Sequence, residues 1–295
     1  MGASVQGASH IRNNLPNQDA LLIESVGGCQ IVSLSDGHGS TRCPHSDEGS
    51  EAAVDTVNTV FRSILAEKGD LFRTVSANKD IWLPKQIEKC WKQKIVSIHK
   101  EKGRGDTESK PNQDNFPYEL YGATLLTLVA TDDFVFALQL GDGDILSIEE
   151  TDENAREETD KVSNEVSENV KTDNENLRIT WVIPPEEAAG AETNSLCQEN
   201  CWQYMKTRII PIRRSSQGSR KTKHRQPALR HLFLMATDGY SNSFYNDEGF
   251  KKAGADFYKL WQEEGPEYIK ENLNNWLTES SAKGSGDDIT LALLH

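Results

Sequence analysis

The order of elements along the chain predicts an α+β fold. Three observations carry this. The first third reads as strands followed by two amphipathic helices; three strand-like runs follow between residues 121 and 148; one more strand, a helix and a final strand close the chain. That order lacks the regular strand–helix alternation of a doubly wound sheet.

The elements follow in sequence. Leu21 to Ile23 and Ile31 to Leu34 are apolar runs separated by Gly27-Gly28, which predicts a hairpin. The second run stops at Ser35-Asp36-Gly37-His38-Gly39. Ala53, Val57, Val60, Phe61, Ile64 and Leu65 then keep helical spacing, with Ser50 as the expected cap. Ile87, Cys90, Trp91, Ile95 and Ile98 mark a second helix. Ala123 to Ala130, Phe134 to Leu140 and Ile145 to Ile148 are strand-like runs on short turns, and they predict an antiparallel meander.

The composition then breaks. Residues 149–178 hold eleven acidic and four basic side chains, half of the chain's net charge of -14. A strand-like Ile179 to Ile183 precedes Pro184-Pro185, and residues 206–230 carry nine Lys or Arg and no acid. The region of about 149–230 is therefore expected to be a charged insertion, solvated at the surface. A sharper alternative makes it a flap that helps recognise a partner. The core pattern resumes at Leu232 to Ala236 and stops at Thr237-Asp238-Gly239. Ile269, Leu273, Trp276 and Leu277 mark a helix, and Leu291 to Leu294 form a last strand after Gly286-Asp287-Asp288.

Composition bounds the function. With 295 residues, 36% of them apolar, the chain can bury a sizeable core. Its 46 acidic against 32 basic residues argue against nucleic acid as a partner, because phosphate binding is driven by Lys and Arg. No run approaches the ~18 apolar residues of a membrane span. Residues 1–17 lack the apolar centre of a signal peptide, and Gln6 stands where a myristoylation signal needs Ser or Thr. The five cysteines make no CxxC pair, and Cys197 with Cys201 alone do not make a zinc site. A cytoplasmic protein with reduced thiols and no membrane partner is expected.

Four times an apolar run stops at an aspartate beside a glycine: Asp36-Gly37, Gly141-Asp142-Gly143, Asp238-Gly239 and Gly286-Asp287. Singly, each is an ordinary turn dipeptide. Gathered at one rim, the carboxylates would repel, and burying them unpaired costs several kcal/mol. A divalent cation resolves that conflict, and oxygen ligands suit Mg²⁺ or Mn²⁺.

These motifs resemble those of the metal-dependent (PPM, or type 2C) protein serine/threonine phosphatases. Asn17-Gln18-Asp19-Ala20 is similar to that family's early acidic element, and Asp36-Gly37-His38-Gly39 to its Asp-Gly-His-Gly element. Tyr121-Gly122-Ala123-Thr124, Leu140-Gly141-Asp142-Gly143, Ala236-Thr237-Asp238-Gly239 and Gly286-Asp287-Asp288-Ile289-Thr290 resemble four further elements, all in the family's order. The glutamine at position 18 looks most like bacterial members. The resemblance implies one domain over 1–295, built as a four-layer αββα sandwich of two antiparallel sheets flanked by helices. It implies two Mn²⁺ or Mg²⁺ ions at one end of the sandwich, with a third, weaker metal at Asp142. Asp36 would bridge the two ions, the Gly37 carbonyl would add a ligand, and Asp238 and Asp287 would hold one ion. Asp19, the acid of the early element, joins the metal set. His38 falls where the family has a candidate general acid, although a histidine there could equally order a water. The implied reaction is hydrolysis of phosphoserine or phosphothreonine in a phosphorylated protein by a metal-bridging hydroxide, with a cognate kinase as a candidate partner. No cysteine sits in a phosphate-cradling loop with a following arginine, which argues against a cysteine nucleophile.

The chain departs from the family pattern at four places. Gln18 replaces a glutamate; Gly143 replaces a serine; Asn242 replaces an aspartate of the third metal. Asn14 replaces the phosphate-binding arginine, leaving His10 and Arg12 as candidates for that role. Two rival readings stay open: a catalytically inactive relative that binds a partner, and a calcium-stabilised binding domain whose Asp-Gly turns are structural.

Overall fold

The computed structural model describes residues 1–67, 69–104, 116–150, 177–185, 193–212 and 231–295. The described strands are β1 (Gly2–Val5), β2 (Ala20–Val26), β3 (Cys29–Ser35), β4 (Leu125–Ala130), β5 (Phe134–Leu140), β6 (Asp144–Glu150), β7 (Leu177–Trp181), β8 (Lys206–Pro211), β9 (His231–Ala236) and β10 (Ile289–Leu294). The described helices are α1 (Ala8–Asn13), α2 (Ser46–Ala66), α3 (Leu71–Asn78), α4 (Trp82–Glu101), α5 (Asp238–Ser241), α6 (Asp247–Glu263) and α7 (Pro266–Lys283).

The strands form two five-stranded sheets, in the orders β2-β3-β4-β5-β8 and β1-β10-β9-β6-β7. Every neighbouring pair is antiparallel. Alternation along each strand builds the layers. Val32, Leu34, Leu126 and Leu128 of one sheet meet Phe233, Met235, Ala292 and Leu294 of the other. Ile31, Leu125, Val129 and Phe136 point the opposite way, onto Val57, Phe61, Ile87 and Trp91 of α2 and α4. Leu234, Leu291 and Leu293 face Phe250, Phe257, Leu273 and Leu277 of α6 and α7. Strands covered on both faces explain the continuous apolar run at Phe134–Leu140, where every residue is buried. The expected four-layer αββα sandwich is what forms.

The predicted hairpin is β2-β3. Val26 pairs with Cys29, so Gly27-Gly28 make a two-residue turn with φ of 58° and 80°. That turn needs the left-handed region at both positions, which glycine enters without strain.

Three expectations need correction. Helix α2 starts at Ser46, so Ser50 is inside it and not its cap; the Ser50 hydroxyl donates to the Gln18 carbonyl at 2.6 Å. The meander breaks after two strands. β4 pairs with β5, but β6 pairs with β7 and β9 in the other sheet, so Gly141-Asp142-Gly143 hands the chain from one sheet to the other. The 149–230 region is also not wholly an insertion. β7 and β8 are edge strands of the two sheets, and Leu196, Cys201 and Met205 are buried in the helix-side core. The acidic run from 151 to 176 and the basic run from 213 to 230 lie outside the described residues.

Helix α2 is held close to the loop before β4. The Trp91 indole, fully buried, donates to the Gly49 carbonyl at 3.0 Å. A Cβ on Gly49 would lie 2.0 Å from the Tyr121 carbonyl oxygen, a backbone atom. Gly49→Ala is therefore expected to destabilise the protein by about 1–3 kcal/mol or more. A thermal melt checks this, and an unchanged midpoint would contradict the close approach.

Candidate active site

The candidate site lies where both sheets end. In one sheet Ala20 pairs with Ser35, which sets Asp19 and Asp36 beside each other. In the other, Ala236 pairs with both Leu291 and Asp144, which brings Asp238, Asp144 and the Asp287-Asp288 loop to the same end.

Backbone hydrogen bonds fix each acid. Asp36 is clamped to Thr124: the Asp36 amide donates to the Thr124 hydroxyl at 3.0 Å, and the Thr124 amide donates to the Asp36 carbonyl at 2.8 Å. The Gly37 amide donates to the Gln18 carbonyl at 3.1 Å, and a Cβ there would strike the Ser46 and Gln18 carbonyls at 2.6 and 2.7 Å. Only glycine fits. Thr237 joins the two sheets: its amide donates to the Thr290 carbonyl at 3.0 Å and its hydroxyl to Asp19 Oδ2 at 2.8 Å. Asp238 opens α5, and the Asn242 side-chain amide donates to its Oδ2 at 2.9 Å.

Asp288 is the organiser that sequence reasoning missed. Its carboxylate accepts from the Gly7 amide and the Gln18 amide, both at 2.6 Å, and from His10 Nδ1 at 2.8 Å. It thereby ties the start of α1 and the early acidic element to the last motif. The signal was present as the second acid of Gly286-Asp287-Asp288, but its partners are 270 and 281 residues away. Ser281 adds a second tie, accepting from the Ala8 amide at 3.0 Å and donating to the Asp287 carbonyl at 2.8 Å. Asp144 was also missed.

A cavity of about 330 Å³ opens between these ends. Asp36, Asp142, Asp238 and Asp287 line it together with Gly37, His38 and His10. Asp19 is buried, and its carboxylate is held by Thr237 of the neighbouring sheet. Asp142 accepts from the Thr193 hydroxyl at 2.6 Å. Among the proposed phosphate ligands, His10 is in the cavity wall, with Nε2 at 3.4 Å from Asp287 Oδ1. Arg12 does not join it: the side chain is exposed on the far part of α1 and lines no part of the cavity. A six-residue helix turns residues two apart in sequence to different sides, so only one of the pair can face the acids.

The electrostatics are those of crowded acids. Burial pushes the Asp19 carboxyl up to about 8, and the charges of Asp288 and Asp238 add to that, while the Thr290 and Thr237 hydroxyls pull it down. Burial, then the charges of Asp19 and Asp238, hold Asp36 well above the usual carboxylate range. Asp238 and Asp288 are raised mainly by burial, and Asp144 is pushed up to about 7 by burial and the charges of Asp238, Asp247 and Asp142. Among the described residues no lysine or arginine lines the cavity to offset them. Among the described residues six buried side-chain oxygens have no hydrogen-bond partner: Asp19 Oδ1, Asp238 Oδ1 and Gln18 Oε1 belong to this end of the sheets, and Thr56 Oγ1, Ser76 Oγ and Gln139 Oε1 are the others. Gln18 Oε1 lies 3.1 Å from the point a Cβ on Gly39 would occupy, while its Nε2 donates to the Ser46 hydroxyl at 2.8 Å. Carboxylates and an amide oxygen left without donors form a hard oxygen set, which fits a divalent cation. His10 Nδ1 or Nε2, Asp287 and Asp288 also offer donor atoms within 4.8 Å of one another.

The sequence profile of the family described as protein phosphatase 2C matches residues 6–278. The chain belongs to that family. A sequence comparison with curated proteins finds no match. Solved protein phosphatase 2C-like folds agree with the αββα architecture. A bacterial serine phosphatase superposes with a TM-score of 0.56 at 14% identity, covering 99% of this chain and 95% of that one. The Mycobacterium tuberculosis serine/threonine phosphatase PstP/Ppp superposes with a TM-score of 0.53 at 12% identity, covering 99% and 96%. The catalytic domain of PstP in complex with two manganese ions gives 0.50 at 15% identity, covering 99% and 95%. Among the described residues no helix is long and apolar enough to cross a membrane.

Proposed function

We propose that this chain, as one domain, is a cytoplasmic Mn²⁺- or Mg²⁺-dependent phosphatase that hydrolyses phosphoserine and phosphothreonine in proteins. The observation that carries the reading is the set of buried acid oxygens without donors, Asp19 Oδ1 and Asp238 Oδ1, at the rim where Asp36 and Asp287 converge. Family membership supports it. A PstP catalytic domain of similar fold was solved with two manganese ions.

Asp36, the Gly37 carbonyl, Asp238, Asp287 and Asp19 are the residues that would hold two divalent ions, with Asp142 offering a weaker third position. When bound, such ions supply an activated water and offset the phosphoryl charge. The chain's own residues do the rest. Thr124 and Thr237 hold the acids in place before substrate arrives. Gln18 leaves its amide oxygen free to order a water beside Gly39. His10, held by Asp288, lines the cavity and is the residue we assign to the phosphate contact that an arginine makes in the family. His38 borders the cavity; burial lowers its basicity and the Asp142 charge raises it, with the net shift downward. A proton held there would serve the departing serine or threonine oxygen.

The test uses p-nitrophenyl phosphate and a phosphothreonine peptide, with Mn²⁺, Mg²⁺, Ca²⁺ or EDTA. Turnover of both substrates with Mn²⁺ or Mg²⁺ only is expected. A folded protein that binds Mn²⁺ but turns over neither substrate would replace the enzyme with a partner-binding relative. His38→Gln separates acid catalysis from water ordering. Nitrophenolate leaves without a proton and a threonine alkoxide does not, so a loss of about 10²-fold confined to the peptide is expected.

A further inference from the structure

Two thiols converge on one side of His38. A Cβ placed on Gly122 would lie 2.7 Å from His38 Cδ2, 3.1 Å from Cys43 Sγ and 3.4 Å from Cys197 Sγ. Both sulfurs therefore point at the same bare Cα, from chain segments far apart in sequence. Glycine leaves the space between them open. Those two distances limit the Sγ–Sγ separation to at most about 6.5 Å, and a disulfide needs the sulfurs to close to ~2.0 Å. Both cysteines are free thiols in the structure.

Their surroundings differ. Cys43 is buried, at 8% exposure, in the turn between His38 and α2. Cys197 is half-buried and lines a groove of about 870 Å³ beside α4, shared with Lys89, Tyr118 and Glu119. A small oxidant entering that groove meets Cys197 first. The Cys197 thiol is hydrogen-bonded to the Ser195 hydroxyl at 3.3 Å, and that hydroxyl in turn accepts from the Ala123 amide at 3.0 Å.

We propose that Cys43 and Cys197 are a redox modification site: a dithiol that a hydroperoxide converts to a disulfide across Gly122, on the flank of the catalytic cavity. The Cys197 thiolate attacks a peroxide oxygen, the O–O bond breaks, and Cys197 becomes a sulfenic acid while water or an alcohol leaves. The Cys43 thiolate then attacks that sulfur, the S–O bond breaks, and hydroxide leaves as water once protonated. The two thiols lose two electrons and two protons in total, and the peroxide is reduced. Burial pushes the Cys197 thiol up, so the first step speeds up as pH rises.

The remaining cysteines are poorer partners. Cys201 is fully buried, its thiol pushed far up by burial and by Glu88. Cys29 Sγ faces the Gly27 carbonyl at the hairpin, and Cys90 is on α4. The bridge would join the turn that follows Asp36-Gly37 to the segment 193–198. That segment already touches Asp142 through the Thr193 hydroxyl, and its Leu196 amide donates to the carbonyl of Ala123, the neighbour of Thr124, at 2.9 Å. Oxidation would thus lock the two walls on either side of His38.

The experiment is peptide mapping of the wild-type protein under non-reducing conditions, after hydrogen peroxide at pH 7 and pH 8.5. The expected result is an intact mass lower by two hydrogens, one linked Cys43–Cys197 peptide that forms faster at pH 8.5, and reversal by dithiothreitol. In Cys197→Ser the link is absent. The proposal is overturned if Cys197 pairs with Cys201, if the bridge forms between two chains, or if both thiols survive peroxide that oxidises the denatured protein. The readout is a covalent bond, so it holds or fails whether or not the protein hydrolyses phosphate.

Discussion

Asp36→Asn is expected to lower turnover by about 10³-fold or more while the protein stays folded. The substitution is nearly isosteric. The backbone of residue 36 is held by Thr124 through both its amide and its carbonyl, and neither bond uses the side chain. What changes is charge at the point where Asp19, Asp238 and Asp287 all bear on the same carboxyl. If Asp36 holds the divalent ions as proposed, an uncharged amide would bind them more weakly than a carboxylate, so the loss should fall on metal affinity and kcat together. Asp238→Asn tests the neighbouring proposed ligand: among the described residues Oδ1 has no hydrogen-bond partner, and Oδ2 accepts from Asn242. Steady-state kinetics at saturating Mn²⁺, beside a thermal melt in EDTA, separates chemistry from folding. Wild-type turnover in both variants would remove these acids from the mechanism.

The metal-free protein should lose stability as pH rises, and a divalent ion should restore it. The sign follows from the raised carboxyls. Asp19 is held at about 8 and Asp144 at about 7, against 3.8 for an unperturbed aspartate. The folded state therefore keeps protons that the unfolded chain has released. The stabilisation is fully present below the unfolded value near 4 and is lost as pH climbs through the folded values near 7 and 8. Each group contributes about 1.4 kcal/mol per pH unit across that window. In EDTA the melting midpoint should fall between pH 5 and pH 8. Millimolar Mn²⁺ should raise it most at pH 8, where the acids are ionised and free to ligate. Asp19→Asn should flatten the EDTA profile and reduce the Mn²⁺ shift. A midpoint in EDTA that climbs steadily to pH 8 would contradict the crowded-acid account.

Local features of the fold were legible in the sequence. Gly27-Gly28 between two apolar runs specified a hairpin, because few other residues enter the left-handed region at two successive positions. Three of the four aspartates beside glycines, Asp36, Asp142 and Asp238, follow a strand as expected, whereas Gly286-Asp287 follows α7 and precedes β10; the order of the motifs agrees with the family. Long-range pairing was harder to read. Gly141-Asp142-Gly143 looks like any hairpin turn, yet β6 leaves the sheet of β5, since its partner β9 lies almost ninety residues downstream. Helix α1 has no buried residue and so no periodic signal, although it carries His10 to the acids. Helix α6 did carry signals: Asn246 caps it by accepting from the Gly249 amide at 3.0 Å, and Phe250, Phe257 and Tyr258 lie on one face. Asp288 was hidden for another reason: its role is to accept backbone amides, and residue type alone does not reveal which amides will arrive.

The switch of sheets at Gly141-Asp142-Gly143 has a mechanical meaning. Asp19 and Asp36 belong to one sheet, and Asp238 and Asp287 to the other, so an ion shared among them would act as a rivet through both plates. Any sliding of one plate over the other would lengthen some of its bonds and shorten others. Interior packing at the Val32–Met235 interface resists that shear across the middle of the sandwich. At the acidic end the restraints include the Thr237 hydroxyl on Asp19, the Gln18 amide on the Asp288 carboxylate and the short crossing at residues 141–143. An ion bound there would therefore add to the restraints that hold the two sheets together at the rim.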